Sequence, residues 1–154
     1  MRIGVISDTH GLLRPEAAAA LKNFVPEHIL HAGDVGDPAI LEALAQIAPV
    51  TAIRGNVDNH GPCALLPTTE YIELAGKAFY LVHSFHDLDI DPTAAGVSVV
   101  VSGHSHQPLI ETRRDVLYLN PGSVGPRRFK LPVTLALVTV EETIQAKIVE
   151  LLPS

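Results

Sequence analysis

Residues 2–11 read RIGVISDTHG, a short apolar run that ends on an aspartate and a histidine. The same pattern returns four more times, so five apolar runs each end beside residues that can bind a metal ion. The five junctions are 3–6 before Asp8 and His10, 28–31 before Asp34, 50–53 before Asn56, 79–82 before His83, and 97–101 before His104 and His106. Parallel and mixed sheets collect the carboxyl ends of their strands along one edge, where open α/β sheets bind ligands. We therefore expect these seven side chains to meet, and two divalent metal ions that share a carboxylate would account for their number.

The first third of the chain is predicted to alternate strand and helix. Strands are expected at 2–6, 28–31 and 50–53. The first helix starts near Pro15, because proline suits the first helical position, and Asp37-Pro38 starts the second, which Pro49 ends. The predicted buried helix faces are Ala17, Leu21, Phe24 and Val25 in the first helix, and Ile40, Leu41, Leu44, Ile47 and Ala48 in the second. Two right-handed crossovers would make the three strands parallel.

The second half of the chain is predicted to be rich in strands. A hairpin is expected from 71–74 and 79–82 around a Gly76-Lys77 turn. The run 97–101 is apolar throughout, as in a strand buried on both faces, and a short turn is expected near 91–95. Further strands are predicted at 109–112, 116–120, 134–140 and 144–152. About ten strands exceed what one twisted sheet usually holds, so we expect two packed sheets with helices on at least one outer face, in a single domain of 154 residues.

Composition narrows the class of protein. The formal net charge is −6, with 47% hydrophobic and 18% charged residues, which argues against a basic surface for nucleic acid. A phosphate substrate stays possible, because bound cations would reverse the local field. Cys63 is the single cysteine, so no disulfide can form within the chain. No signal peptide and no membrane-length apolar stretch is visible, and we expect a cytoplasmic protein.

The first two junctions favour carboxylate ligands. Asp8 and His10 stand at positions i and i+2, which point to the same side of an extended strand end; the alternative is a turn closed by an Asx hydrogen bond. Asp34 lies between two glycines that allow close approach of a ligand, and its two oxygens could bridge two cations. Asp37 is interpreted as a helix cap, and His31 as a buried strand histidine.

The later junctions supply an amide and three imidazoles. Asn56 adds an oxygen without adding charge, although an asparagine in a turn is the plain alternative. Imidazole together with carboxylate suits Mn²⁺, Fe, Ni²⁺, Co²⁺ or Zn²⁺ better than Mg²⁺ or Ca²⁺. His60 and His86 stay open between support of the ligands, contact with substrate, and mere exposure. The phosphate-binding loop, the nucleophile elbow and the dinucleotide-binding motif are all absent from the sequence.

Taken in order, these motifs resemble those of the calcineurin-like metallophosphoesterases, whose pattern is D-x-H, G-D, G-N-x-[DE], a histidine and G-H-x-H. The matching segments are Asp8-Thr9-His10, Gly33-Asp34, Gly55-Asn56-Val57-Asp58, His83 and Gly103-His104-Ser105-His106. The segment Asn120-Pro121-Gly122-Ser123 extends the match to the small YfcE-like prokaryotic phosphodiesterases.

The resemblance implies a four-layer αββα sandwich, an α/β fold of two mixed sheets flanked by helices, with two divalent metal ions, of which Mn²⁺ is the expected one. Asp8, His10 and His106 would hold one ion, and Asn56, His83 and His104 the other. Asp34 would bridge the ions, and a metal-bound hydroxide would attack a small phosphoester. Asp34, Asn56 and Asp58 are thus the expected catalytic residues, with Asn56 also steadying the phosphate.

The chain departs from the family pattern at two positions. Val57 stands where the strongest phosphatases of the family have a histidine that assists the leaving group, and Ser84 stands where the family usually has glycine. A slow phosphodiesterase that prefers good leaving groups is therefore predicted, and His60 is a candidate substitute for the missing donor.

Two further expectations concern substrate and partners. Arg127 and Arg128 could clamp a substrate phosphate, although a solvated basic turn is an equal alternative. The competing function is a protein-binding scaffold, as in the retromer subunit that resembles this branch. A homodimer is compatible with the sequence, but no motif specifies it.

Overall fold

The computed structural model describes residues 1–153 and contains two mixed five-stranded sheets. In chain order the elements are β1 (Arg2–Ile6), α1 (Pro15–Phe24), β2 (His28–His31), α2 (Pro38–Ala45), β3 (Val50–Ala52), β4 (Thr69–Leu74), β5 (Lys77–Val82), β6 (Val99–Val101), β7 (Leu109–Arg113), β8 (Val116–Asn120), β9 (Val133–Val140) and β10 (Ile144–Leu152). Two short 3₁₀ turns lie at Pro62–Leu65 and Phe85–Asp87. The expected α/β sandwich of two packed sheets is confirmed.

Each sheet brings strand ends that are distant in sequence to one edge. The first sheet has the order β10-β9-β1-β2-β3, in which β1, β2 and β3 are parallel. The second has the order β4-β5-β6-β8-β7, in which β5, β6 and β8 are parallel. The carboxyl ends of the parallel strands carry the five junctions.

The main core lies between the two sheets. It contains Ile3 and Val5 from β1, Leu30 from β2, and Phe79 and Leu81 from β5, all fully buried. Side chains alternate along a strand, so Ile6 and Ile29 point the other way, toward the helices. Burial of apolar surface on both faces of the first sheet therefore fixes the position of its strand ends.

The outer layers of the two sheets differ. Helices α1 and α2 cover the first sheet, and Ala17, Leu21, Ile40 and Leu44 face it as predicted. The second sheet is covered by residues 85–96, which hold the short turn Phe85–Asp87 and the predicted turn near residue 91. Within the described residues, no helix is long and apolar enough to cross a membrane.

Three local predictions were wrong at their boundaries. The hairpin turn is Ala75-Gly76, with φ of 51° and 79°, because a two-residue loop with two positive φ angles matches the twist of the strands. Val25 is 62% exposed, since it ends α1 in a left-handed conformation instead of continuing its buried face. Strand β6 begins at Val99, because the amide of Val97 still closes the preceding turn on Pro92.

Candidate metal centre

The seven predicted side chains converge where the two sheets meet. Six of them form two groups whose ligand atoms lie within 4.8 Å of one another. The buried group consists of Asp8, His10 and His106. The open group consists of Asp34, His83 and His104, with Asn56 beside them. The amide oxygen of Asn56 lies 3.1 Å from His83 Nε2 and 3.3 Å from His104 Nδ1, and we count it with the open group.

The backbone at these positions is strained. Five of the seven residues have positive φ, namely Asp8 at 58°, His10 at 46°, Asp34 at 57°, His104 at 70° and His106 at 62°. Left-handed conformations are uncommon for residues other than glycine and cost of order 1–3 kcal/mol each, and they cluster at functional sites. Asp8 and His10 were predicted to point to the same side because residues alternate along a strand. The two side chains do meet, but strand alternation is not the cause. Strand β1 ends at Ile6, and the left-handed turns aim the two side chains.

The buried group contains polar atoms that lack protein partners. Asp8 Oδ1 lies 3.3 Å from His106 Nε2 and 3.7 Å from His10 Nε2. Within residues 1–153, none of these three buried atoms has a hydrogen-bond partner. Buried polar groups in native proteins are nearly always satisfied, so three unsatisfied ligand atoms that face one point fit a metal ion.

Hydrogen bonds orient the Asp8 carboxylate toward that point. Its Oδ2 accepts from the hydroxyl of Ser7 at 2.6 Å and from the amide of His104 at 3.1 Å. This leaves Oδ1 as the free oxygen.

The Asp34 carboxylate faces both groups. Its Oδ2 lies 3.5 Å from His10 Nε2 and 3.2 Å from His83 Nε2. Its Oδ1 accepts from the amide of Val57 at 3.0 Å. His83 Nδ1 lies 2.7 Å from the carbonyl oxygen of Ala32. Since that oxygen can only accept, Nδ1 donates, and in the neutral ring Nε2 carries the lone pair.

Electrostatics couple the carboxylates and imidazoles. Burial opposes ionisation of Asp8, yet the neighbouring imidazoles of His10 and His106 and the hydroxyl of Ser7 hold its pKa far below the usual range. The neighbouring Asp8 carboxylate raises the pKa of His10 against the cost of burial. Burial likewise opposes the charge on His83, but Asp34 and the Ala32 carbonyl raise its pKa. The pKa of Asp34 is lowered, since His83 and the Val57 amide outweigh its burial.

His31 braces the loops that carry the ligands, and the prediction of a buried strand histidine is confirmed. Its Nδ1 accepts from the amide of Gly33 at 3.1 Å, so its Nε2 donates to the Thr9 hydroxyl at 3.0 Å. That hydroxyl donates in turn to the carbonyl of Val35 at 2.7 Å. Burial lowers the pKa of His31 to about 4, so the ring stays neutral.

Asp58 joins two ligand loops through its carboxylate. It accepts from the amides of Val35 at 3.1 Å, Gly36 at 3.0 Å and Gly55 at 2.8 Å. Both oxygens are thus engaged with backbone, and the geometry supports a positioning role for Asp58.

The segment at 120–123 supports the ligand loops from the other side. The Asn120 side chain donates to the carbonyl of Gly103 at 3.0 Å and to the Ser105 hydroxyl at 3.1 Å. The Ser123 hydroxyl donates to the carbonyl of Asp8 at 3.1 Å. These contacts place the segment directly behind Asp8 and His104.

A cleft of about 540 Å³ opens beside the open group. Asn56, His83 and His104 line it, together with Arg54 and His86. Arg54 was not among the predicted site residues, and its Nη1 donates to the carbonyl of Ala64 at 3.1 Å. The sequence feature that could have identified Arg54 is its position at the end of the third apolar run, directly before Gly55-Asn56.

The other candidates lie outside this cleft. Arg127 is exposed and donates to the carbonyl of Leu131 within its own loop at 3.2 Å. Arg128 is exposed, and its charge lowers the pKa of His10, which opposes the rise that Asp8 causes. His60 lines a separate cleft of about 200 Å³ with Asp37, Asp58 and Cys63 among its walls.

Comparison with known proteins places the chain in a family. A model of the calcineurin-like phosphoesterase superfamily domain matches residues 1–143. The chain is 35% identical over 162 residues to a probable metallophosphoesterase of Methanothermobacter thermautotrophicus, across 97% of this chain and 92% of that protein. It is 30% identical over 149 residues to the phosphodiesterase YfcE of Escherichia coli, across 81% of this chain and 80% of that protein.

Two solved structures show the same fold. An archaeal phosphodiesterase superposes with a TM-score of 0.80 at 22% identity, covering 97% of this chain and 100% of that chain. Vps29 of Chaetomium thermophilum superposes with a TM-score of 0.79 at 18% identity, covering 97% and 96%.

The chain belongs to the calcineurin-like phosphoesterase superfamily, as its motifs predicted. As a class it is a metal-dependent phosphoesterase, a hydrolase that acts on ester bonds.

Proposed function

We propose that this protein is a dinuclear metal-dependent phosphodiesterase that hydrolyses a small phosphoester. The observation that carries the proposal is the position of Asp34 Oδ2, which lies within 3.5 Å of His10 in the buried group and 3.2 Å of His83 in the open group. A carboxylate that faces two ligand groups is suited to bridge two cations.

Each group would hold one divalent ion. Asp8, His10 and His106 would bind the first, Asn56, His83 and His104 would bind the second, and Asp34 would bind both. The ligands are carboxylate, amide and imidazole, a mixture that suits Mn²⁺ and its neighbours in the transition series. When bound, such a pair supplies hydroxide at neutral pH and offsets the charge that builds on the phosphate.

The protein's own residues would orient the reaction. Asn56 is exposed at the mouth of the cleft, where its side chain can donate to a phosphate oxygen. Asp58 would fix the loops that carry Asp34 and Asn56 through its three backbone contacts. Arg54 would offer the free donors of its guanidinium to an anionic part of the substrate, since only its Nη1 is engaged by Ala64.

The test is hydrolysis of bis(p-nitrophenyl) phosphate by metal-stripped protein to which Mn²⁺ is returned. The expected result is turnover that depends on Mn²⁺ and collapses in His104→Ala, with the fold retained by circular dichroism. Full activity in the presence of chelator would contradict the proposal.

A protein-binding scaffold is the second candidate, and the likeness to Vps29, a vacuolar protein sorting protein, favours it. It predicts a stable partner protein and no turnover with any divalent ion. The unsatisfied ligand atoms of the buried group argue for the enzyme, because a scaffold gains nothing from buried polar atoms without partners.

A further inference from the structure

We propose that His86 protonates the leaving group, in place of the histidine that the family carries where this chain has Val57. The inference rests on the proposed function. Two observations support it: few histidines lack another assigned role, and one of these lines the same cleft as the open group.

Elimination leaves two histidines out of the eight in the chain. Four belong to the ligand groups, namely His10, His83, His104 and His106. His28 is bonded to the Thr51 hydroxyl at 2.8 Å, and His31 is buried and braces two loops. His60 and His86 remain, and both are exposed.

Their positions separate the two candidates. His60 lines the smaller cleft, whose walls include Val57, Asp58 and Cys63. His86 lines the large cleft together with the ligand-bearing Asn56, His83 and His104. Because the open group and His86 line the same cleft, a leaving group that departs into this cleft would meet the imidazole of His86.

The turn that carries His86 is held from three sides. The Ser84 hydroxyl accepts from the amide of His86 at 3.3 Å, and the carbonyl of Ser84 accepts from the amide of Asp87 at 3.0 Å. The Phe85 ring packs edge-on against Tyr118, with ring centroids 5.6 Å apart. Glycine at position 84 would lack the capping hydroxyl, so Ser84 is the residue that holds the amide of His86 in this turn.

The proton balance is simple. Water forms the new bond to phosphorus and releases its proton to solvent. As the bond from phosphorus to the leaving oxygen breaks, that oxygen takes a proton from the imidazolium of His86, which regains one from solvent. Imidazole is the side chain that most often transfers protons near neutral pH, and positioned proton transfer is worth about 10²–10⁴-fold.

The test compares two esters of the same shape. In bis(p-nitrophenyl) phosphate the leaving group departs without a proton, whereas in diphenyl phosphate the poorer phenolate needs one. We expect His86→Gln to lower kcat for diphenyl phosphate by about 10²-fold, and kcat for bis(p-nitrophenyl) phosphate by less than about threefold. Ser84→Ala should show the same selectivity with a smaller loss, because it loosens the turn and leaves the imidazole in place.

His60→Gln is the matched control, since it removes the other exposed histidine. It should change neither ester, and all three variants should keep wild-type metal content and melting temperature. Equal losses on both esters in His86→Gln, or a selective loss in His60→Gln, would overturn the assignment. The assignment would also be overturned if the wild type already favoured bis(p-nitrophenyl) phosphate over diphenyl phosphate as strongly as His86→Gln does. Absence of metal-dependent turnover in the wild type would instead refute the proposed function itself.

Discussion

The buried group and the open group are built from similar residues but stand in different surroundings. In the buried group, Asp8 is 0% and His106 4% exposed, His10 is half-buried, and several of their polar atoms lack partners. In the open group, Asp34 and His83 are also buried, but Asn56 and His104 are exposed and line the large cleft. Under the proposed function, the buried group would hold its ion within the protein, whereas the exposed residues of the open group would present the second ion to substrate.

Asp34 is the residue that links the two groups, so its loss should have the largest effect. We predict that Asp34→Asn lowers kcat/KM for bis(p-nitrophenyl) phosphate by about 10³-fold or more. Lewis-acid stabilisation is worth several kcal/mol, and about 1.4 kcal/mol corresponds to tenfold in rate. Steady-state kinetics at saturating Mn²⁺ checks the prediction.

The matched control is Asp37→Asn, the same chemical change three positions along. Asp37 caps α2 by accepting from the amide of Ala39 at 2.9 Å and belongs to neither ligand group. Asparagine caps helices as well as aspartate does, so activity should be unchanged. Comparable losses in both variants would show that Asp34 acts only through the loop.

The second prediction separates the two groups by stability. His106→Ala removes a buried ring that lies 3.3 Å from Asp8 Oδ1 and leaves a cavity in its place, for which about 1–3 kcal/mol is expected. His104→Ala removes an exposed side chain, for which about 0.5 kcal/mol or less is expected. Urea unfolding of the metal-free proteins measures both values, because loaded protein would add the loss of metal binding to each. Equal destabilisation by the two variants would contradict the proposed difference between the buried group and the open group.

Protons should compete with metal at both groups. The pKa of His10 and that of His83 are raised, chiefly by Asp8 and by Asp34 respectively, against burial. Each imidazole therefore keeps its proton to higher pH than a free histidine, and lowering the pH from about 8 to about 6 should weaken Mn²⁺ binding, as metal ligands must be deprotonated. Calorimetry in two buffers of different ionisation enthalpy should record proton release on binding. Affinity independent of pH would contradict this.

His31, which supports the ligand loops, should give the most gradual effect. The pKa of His31 is lowered from 6.5 to about 4 by burial, so the unfolded chain binds a proton that the folded chain refuses. The free energy of unfolding is therefore unaffected by the protonation of His31 above about pH 6.5. It falls as the pH drops toward 4, by about 3 kcal/mol at most. Unfolding of metal-free wild type and His31→Gln at several pH values checks it, and His31→Gln should lose less stability on acidification. Parallel pH dependences in the two proteins would refute the role of His31.

The convergence of the site was predictable, because it depends on topology. Apolar runs mark the strands, parallel pairing puts their carboxyl ends on one edge, and the junction residues follow directly. Asp8 and His83 are far apart in sequence, yet Asp8 Oδ1 lies 3.9 Å from His83 Nε2.

Local backbone geometry was not predictable in the same way. The left-handed turns at Asp8, His10 and Asp34 run against the intrinsic preference of these residues, and only the surrounding loops hold them. The role of Asp58 likewise depends on three amides from two loops, which no spacing reveals. The cleft was missed because Arg54 and His86 come from separate loops and share no motif.

The most direct test of the account is electron paramagnetic resonance of the metal-free protein titrated with Mn²⁺. Two ions per chain, giving the spectrum of an exchange-coupled pair that disappears in Asp34→Asn, are predicted. A single ion, or two ions with independent spectra in the wild type, would contradict a shared Asp34.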